Sequence, residues 1–183
     1  TGTPAEQYDL GQLETVLEGK YRPGHFQGVC KVMDRLLDII PADDLWMGQK
    51  DFQQCLVIQK LLELTNRPGV TFHMVDSIRE KSGLAMSSRN TRLSKEGLVK
   101  AAALYEALQM INREYHTADF AVLQNKAKAY LLGRGFEKVE YIAIAQQQNL
   151  QPAATFQPDE KYVVLAAAWI ENVRLIDNMV LQK

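Results

Sequence analysis

Two short apolar runs alternating with two helix-period segments constrain this chain more than any other feature. From Val29, the apolar residues Val32, Met33, Leu36, Leu37 and Ile40 recur at three- and four-residue steps, which defines a helix with one buried face that Pro41 stops. Leu45-Trp46-Met47 then reads as a buried strand. Asp51 to about Leu64 reads as a second helix, with Cys55, Ile58, Leu61 and Leu62 turned to the core, and Val70 to Asp76 as a second strand. Asn66-Arg67-Pro68-Gly69 supplies turn residues between these last two. Helix, strand, helix, strand in this order predicts parallel strands with crossover helices, a partial doubly wound sheet of α/β class.

Beyond Ser77 the pattern changes. The stretch from Arg79 to Arg92 is long and polar, the mark of a functional loop or a domain junction. Helices are expected from Ser94 to about Tyr115, with Leu98, Ala101, Tyr105, Leu108 and Ile111 in register, and from Asp119 to about Leu132, ended by Gly133 and Gly135. Strands are expected at Val139 to Ala145, Lys161 to Trp169 and Val173 to Met179. Two helices followed by sequential strands predict a small α+β domain, so we divide the chain into residues 1–77 and 78–183. The start is less informative: Thr1 to Lys20 is polar, and Leu10, Leu13, Val16 and Leu17 suggest only a short amphipathic or extended lead-in.

Charge and composition exclude several classes. The 183 residues suffice to bury a substantial core, and the 21 basic and 22 acidic residues nearly cancel, so net charge offers no field to attract nucleic acid or an anionic membrane. The longest apolar run, Tyr162 to Ile170, is too short to span a bilayer, and a soluble cytoplasmic protein is expected. Cys30 and Cys55 each fall on the apolar side of a helix, as reduced thiols packed like small hydrophobes do. His25, His73 and His116 are scattered without a metal-ligand pair, so no protein-ligated metal is expected.

Two stretches carry the chemistry. Gly48-Gln49-Lys50-Asp51, with Gln53 and Gln54 beyond it, joins a strand to a helix, where free N–H groups and the helix dipole favour an anion. Gly48 would allow close backbone approach, and Lys50 supplies a mobile cation suited to phosphate. Each residue also has a plain structural reading: Asp51 as a helix cap, Gln54 as the other half of a capping box, Lys50 as a solvated charge. The second stretch, Gly83-Leu84-Ala85-Met86-Ser87-Ser88-Arg89-Asn90, brings two hydroxyls, loop amides and a guanidinium, all groups that hold phosphate. Upstream, Gly24-His25-Phe26-Gln27-Gly28 sits before or inside the first turn of its helix, with His25 either facing a cleft or fixing the loop.

These three ordered motifs and their spacing resemble the pantothenate synthetases, or pantoate–β-alanine ligases, from about Tyr8 to Asn178. The resemblance implies a nucleotidyltransferase-like Rossmann half followed by the small α+β domain. It implies a reaction in which pantoate attacks the α-phosphate of ATP, giving pantoyl adenylate and pyrophosphate, after which β-alanine displaces AMP. ATP is then a substrate, Mg2+ accompanies its phosphates, and a homodimer is expected of the full-length enzyme. By position, Gly48, Gln49, Lys50 and Asp51 match the family's ATP-binding Gly-Glu-Lys-Asp motif, with Gln49 where the family usually has glutamate. Gln54 matches a glutamine that binds pantoate, and Ile78 a backbone contact to adenine. Met86, Ser87, Ser88 and Arg89 match the Met-Ser-Ser-Arg segment, where Arg89 would clamp phosphates. Lys50 and Arg89 are the expected catalytic pair.

The resembling proteins also carry, upstream, a His-x-Gly-His signature and a pantoate-binding glutamine, neither of which occurs in this sequence. The expectation is an N-terminally truncated chain, inactive alone. Its residues also suit a related nucleotidyltransferase acting on another carboxylate, or a non-catalytic ATP-binding or dimerising module.

Overall fold

Two neighbouring parallel strands need a crossover between them, usually a helix, and the computed structural model, which describes residues 7–182, has that arrangement. Strands β1 (Asp44–Gly48) and β2 (Thr71–Val75) pair in parallel from Asp44 opposite Thr71 to Gly48 opposite Val75. Helix α2 (His25–Ile39) precedes β1, and α3 (Phe52–Leu64) makes the crossover. The chain divides into two compact units, the first ending at Val75 and the second beginning at Asp76.

In the first unit Phe26, Cys30, Val57, Ile58 and Leu61 form a buried cluster, against which Leu45, Met47 and Phe72 of the sheet pack. Burial alternates along β1, so the strand is not buried throughout as its apolar sequence suggests. Trp46 points to the other face and is 63% exposed. Its ring stacks on His73 at 4.0 Å between centroids, and His73 Nε2 lies 2.6 Å from Asp44 Oδ1. The period-2 geometry of a strand is the reason: three consecutive apolar residues cannot all face one core.

Two glutamines organise the polar lead-in. It forms a 3-10 turn at Gly11–Glu14 and a short α1 (Leu17–Tyr21), while residues 1–6 of the expected Thr1 to Lys20 segment lie outside the described residues. Gln53, buried in α3, donates Nε2 to the carbonyls of Leu13 (2.8 Å) and Val16 (2.9 Å) and accepts from the Glu18 N–H (3.0 Å). Gln27 of α2 donates to the Tyr8 carbonyl (2.8 Å) and Glu14 Oε2 (2.9 Å) and accepts from the Tyr8 N–H (3.0 Å). These side-chain amides satisfy the backbone of a segment whose Leu10 joins the buried cluster, with Tyr8 and Leu13 packed against it.

The second unit holds α4 (Lys95–Ala101), α5 (Ala103–Glu114) and α6 (Phe120–Gly133), then an antiparallel sheet of β3 (Lys138–Gln146), β4 (Tyr162–Ile170) and β5 (Val173–Val180) in that order. The single helix expected from Ser94 to Tyr115 is broken at Ala102. Ser94 caps α4 by accepting from the Gly97 N–H, and Asp119 caps α6 by accepting from the N–H groups of Ala121 and Val122. Gly133 is the last residue of α6, and Gly135, with φ of 94°, turns the chain out of it.

The β4–β5 hairpin turns through Glu171 and Asn172, both at positive φ (50° and 58°). Such turns favour glycine or asparagine, so Glu171 is held there against its preference. Its carboxylate accepts from Ser94 Oγ (2.6 Å) and the Ser94 N–H (2.7 Å), which offsets the backbone cost and ties the hairpin to the start of α4. Among the described residues no helix is long and apolar enough to cross a membrane.

Candidate functional site

Parallel pairing brings the carboxyl ends of β1 and β2 side by side, at Gly48 and Val75. Gly48 has ordinary extended angles, and a Cβ built on it would meet nothing within 4 Å. Neither backbone conformation nor packing within the chain requires glycine there, and the space beside it is open to a ligand. The thiol of Cys55 donates to the Gly48 carbonyl at 3.5 Å and fixes this end of the strand. Burial, with the nearby Asp51 charge, pushes that thiol up to about 12, so it is a neutral packing group.

The helix expected from Asp51 begins one residue later. Gln49, Lys50 and Asp51 form a 3-10 turn, and Asp51 occupies the N-cap position of α3 without a side-chain cap hydrogen bond. The capping alternative, with its reciprocal box to Gln54, is therefore not how the chain uses Asp51, whose exposed carboxylate stands at the turn beside half-exposed Lys50. Adjacent glutamines diverge here. Gln53 is buried and fully engaged, whereas Gln54 is half-buried and its side chain makes no hydrogen bond among the described residues. Upstream, Gly24 at φ 76° leads into α2, whose first residue, His25, is half-buried with its ring 5.2 Å from that of Phe26.

In the second unit the stretch read as a long polar loop is extensively hydrogen-bonded. Ile78 offers its carbonyl to the Met86 N–H (2.9 Å), and Glu80 donates its N–H to the Leu84 carbonyl (2.8 Å), around an antiparallel bridge of Arg79 with Ala85. Ile78 is 72% exposed and Met86 is also exposed, so neither side chain is committed to the core. Ser87 accepts from the Arg89 N–H (3.2 Å) and caps a 3-10 turn at Ser88–Arg92, which leaves its hydroxyl proton to donate elsewhere. Ser88 is exposed. Half-buried Arg89 donates Nη1 to the Arg174 carbonyl at 3.3 Å and makes no other side-chain hydrogen bond or ion pair among the described residues.

The residue that holds this stretch together is Arg79, which local sequence does not single out. It donates Nη1 to Asp177 Oδ2 (2.7 Å) and Nη2 to Asp177 Oδ1 (3.1 Å), reaches the carbonyls of Gly83 and Asn178, and lies 4.0 Å from the Tyr105 ring centroid. Asn90 adds a second tie, donating to the Ala85 carbonyl at 3.0 Å. The structure thus gathers Gly48, Gln49, Lys50, Asp51 and Gln54 at one strand-to-helix turn of the first unit, and Ile78 with Met86 to Arg89 in one hydrogen-bonded segment of the second. Among the described residues no group of three or more His, Cys, Asp or Glu could hold a metal ion.

The family model described as pantoate-beta-alanine ligase matches residues 4–180. A pantothenate synthetase of Cytophaga hutchinsonii is 41% identical over 180 residues, covering 97% of this chain and 63% of that protein. The crystal structure of a pantothenate synthetase from Thermus thermophilus superposes with a TM-score of 0.87 at 32% identity, covering 94% of this chain and 62% of that one. A pantoate-beta-alanine ligase from Francisella tularensis, solved in complex with beta-gamma ATP and beta-alanine, gives a TM-score of 0.70 at 30% identity, with 94% and 57% covered. The chain spans about three fifths of the length of the curated relatives it matches, 63% and 62% for two of them. Fold, matched length and identity agree, and the chain belongs to the pantoate-beta-alanine ligase family.

Proposed function

We propose that this chain serves the ATP-dependent condensation of pantoate with β-alanine, through a pantoyl adenylate, with release of pyrophosphate and AMP. The observation that carries the reading is the turn at Gly48 to Asp51. It lies at the carboxyl end of a parallel strand and the start of α3, with open space beside Gly48 and a carboxylate that does not cap its own helix. Such a turn suits a polyphosphate, because positioned cations and N–H groups stabilise the charge that shifts as phosphate is transferred, without a protein nucleophile.

Residues 1–77 supply the nucleotide-binding part and residues 78–183 the Met86 to Arg89 segment. Lys50 and Arg89 neutralise phosphate oxygens. Gly48, Gln49 and Asp51 shape the phosphate turn, while Met86, Ser87 and Ser88 contribute amides and hydroxyls, and the Ile78 backbone meets adenine. Gln54, whose amide both donates and accepts, binds pantoate through its carboxylate and hydroxyl. Mg2+ would enter with the nucleotide, bound to its phosphates, on which the exposed Asp51 carboxylate would bear. The reading includes a cytoplasmic homodimer, as expected of a biosynthetic ligase of this family.

Two measurements test the reading. Calorimetric titration with magnesium ATP should show saturable binding that Lys50→Ala weakens. Grafting the chain onto the part of the Cytophaga hutchinsonii relative outside the matched region should give pantoate-dependent release of pyrophosphate, again lost with Lys50→Ala. ATP binding and pyrophosphate release that both survive this substitution would overturn the site.

A further inference from the structure

Arg89 differs from Arg79, ten residues earlier, in what anchors it. Arg79 is neutralised by a carboxylate. Arg89 is held by a backbone carbonyl, that of Arg174, so among the described residues its charge is uncompensated and its other N–H groups are available. The acceptor is itself fixed. Glu140 of β3, almost wholly buried, accepts from Trp169 Nε1 of β4 through Oε1 (2.6 Å), and from Arg174 Nε and Nη2 of β5 through Oε2 (2.8 Å each). One carboxylate therefore joins all three strands at the end of the sheet where Arg174 pairs with Trp169. A second tie, from Glu171 to Ser94, binds the same hairpin to the chain just beyond the Ser88–Arg92 turn.

The geometry points to Glu140 and Arg174 as positioning residues for Arg89: their buried ion pair fixes the Arg174 backbone, whose carbonyl aims the Arg89 guanidinium while leaving its charge for an anionic phosphate. A carboxylate partner would have held Arg89 as firmly but cancelled the charge that a phosphate needs. The inference rests on the phosphate role proposed above for Arg89.

The Arg89 side-chain Nε–Hε NMR resonance of the full chain provides a readout that needs no ligand. In Glu140→Gln this resonance should lose its restraint, and magnesium ATP affinity should fall by roughly tenfold. In an Arg89→Ala background the same Glu140→Gln substitution should have no further effect on affinity. A paired Glu140→Leu, Arg174→Met variant, which removes both buried charges, should mobilise Arg89 in the same way and serves if the single variant does not fold. An unchanged Arg89 resonance in these variants overturns the proposal, as does an affinity loss that is equal with and without Arg89. If Arg89→Ala itself leaves ATP affinity intact, the phosphate role of Arg89 falls, and the resonance alone decides whether Glu140 positions it.

Discussion

Arg79 and Asp177, 98 residues apart, form a two-point ion pair in which the Asp177 side chain is only 1% exposed. Removing one member of such a buried pair leaves the other without a partner, and Asp177→Ala should lower stability by about 3–5 kcal/mol. Replacing both together, Arg79→Met with Asp177→Leu, should cost far less, because no lone buried charge remains. Urea unfolding of the three variants checks this. A loss below about 1 kcal/mol in Asp177→Ala would mean that the pair does not hold the segment.

Lys50 and Arg89 should behave in the opposite way. Under the phosphate-donor roles proposed for them, either truncation should slow pantoyl adenylate formation by about a hundred- to a thousandfold, or roughly 3–4 kcal/mol. Stability should change by only about 0.5 kcal/mol, as for surface residues. Arg89→Lys should recover part of the rate, since an ammonium lacks the two-pronged donor geometry. Single-turnover kinetics of the grafted enzyme beside thermal unfolding would reveal the split, and near-normal rates in both alanine variants would remove the assignment.

Gly97 should show a reversal of sign. A Cβ there would lie 2.5 Å from Glu171 Oε2, so Gly97→Ala must push aside the carboxylate that holds Ser94. In the native sequence the substitution should destabilise. In a Glu171→Ala background the obstacle is gone, and alanine should stabilise α4 by up to about 1 kcal/mol through its better helix propensity. Thermal melts of the four variants give the answer, with equal shifts in both backgrounds counting against the contact.

Acid should weaken both units, for separate reasons. Burial raises the Asp34 carboxyl, but hydrogen bonds from Arg67 and Tyr8 outweigh it and hold the group below its ordinary 3.8. Hydrogen bonds from Ser94 hold Glu171 below its ordinary 4.5. Each native value lies below the unfolded one, so each contribution is fully present above the unfolded value and is lost as the pH falls through the native one. Asp34→Asn and Glu171→Gln should each flatten the acid limb of a stability-against-pH curve, and an unchanged slope in either would deny that group its role.

The cysteines should be silent in the folded protein. Burial pushes Cys30 up to about 11 and Cys55 to about 12, and both are fully buried. At roughly pH 8 a thiol reagent should label neither at an appreciable rate until denaturant opens the fold, because the thiolate is the reactive form. Fast labelling of either without denaturant would contradict the buried placement.

Residue periodicity alone determined much of this protein. The apolar spacing of α2 and α3, the turn at Asn66 to Gly69 and the β-branched run into β2 predicted parallel pairing, and the later strands fell within a residue or two of their places. Those signals are local: period, turn residues and caps act over a few neighbours, so they survive in the sequence. The motif from Gly48 to Gln54 was legible for the same reason, since the chain itself sets the spacing of its residues. Only the tertiary structure decided which polar groups are free and which are engaged. Gln53 and Gln54 look alike in sequence, yet one ties down the lead-in and the other makes no such bond among the described residues. Asp51 occupies a capping position without capping. Arg79 and Arg89 share one polar stretch, but Asp177 neutralises the first, while among the described residues the side chain of the second hydrogen-bonds only the carbonyl of Arg174. The partners of these groups lie tens of residues away, and side-chain chemistry cannot name a partner until folding brings it within hydrogen-bond range.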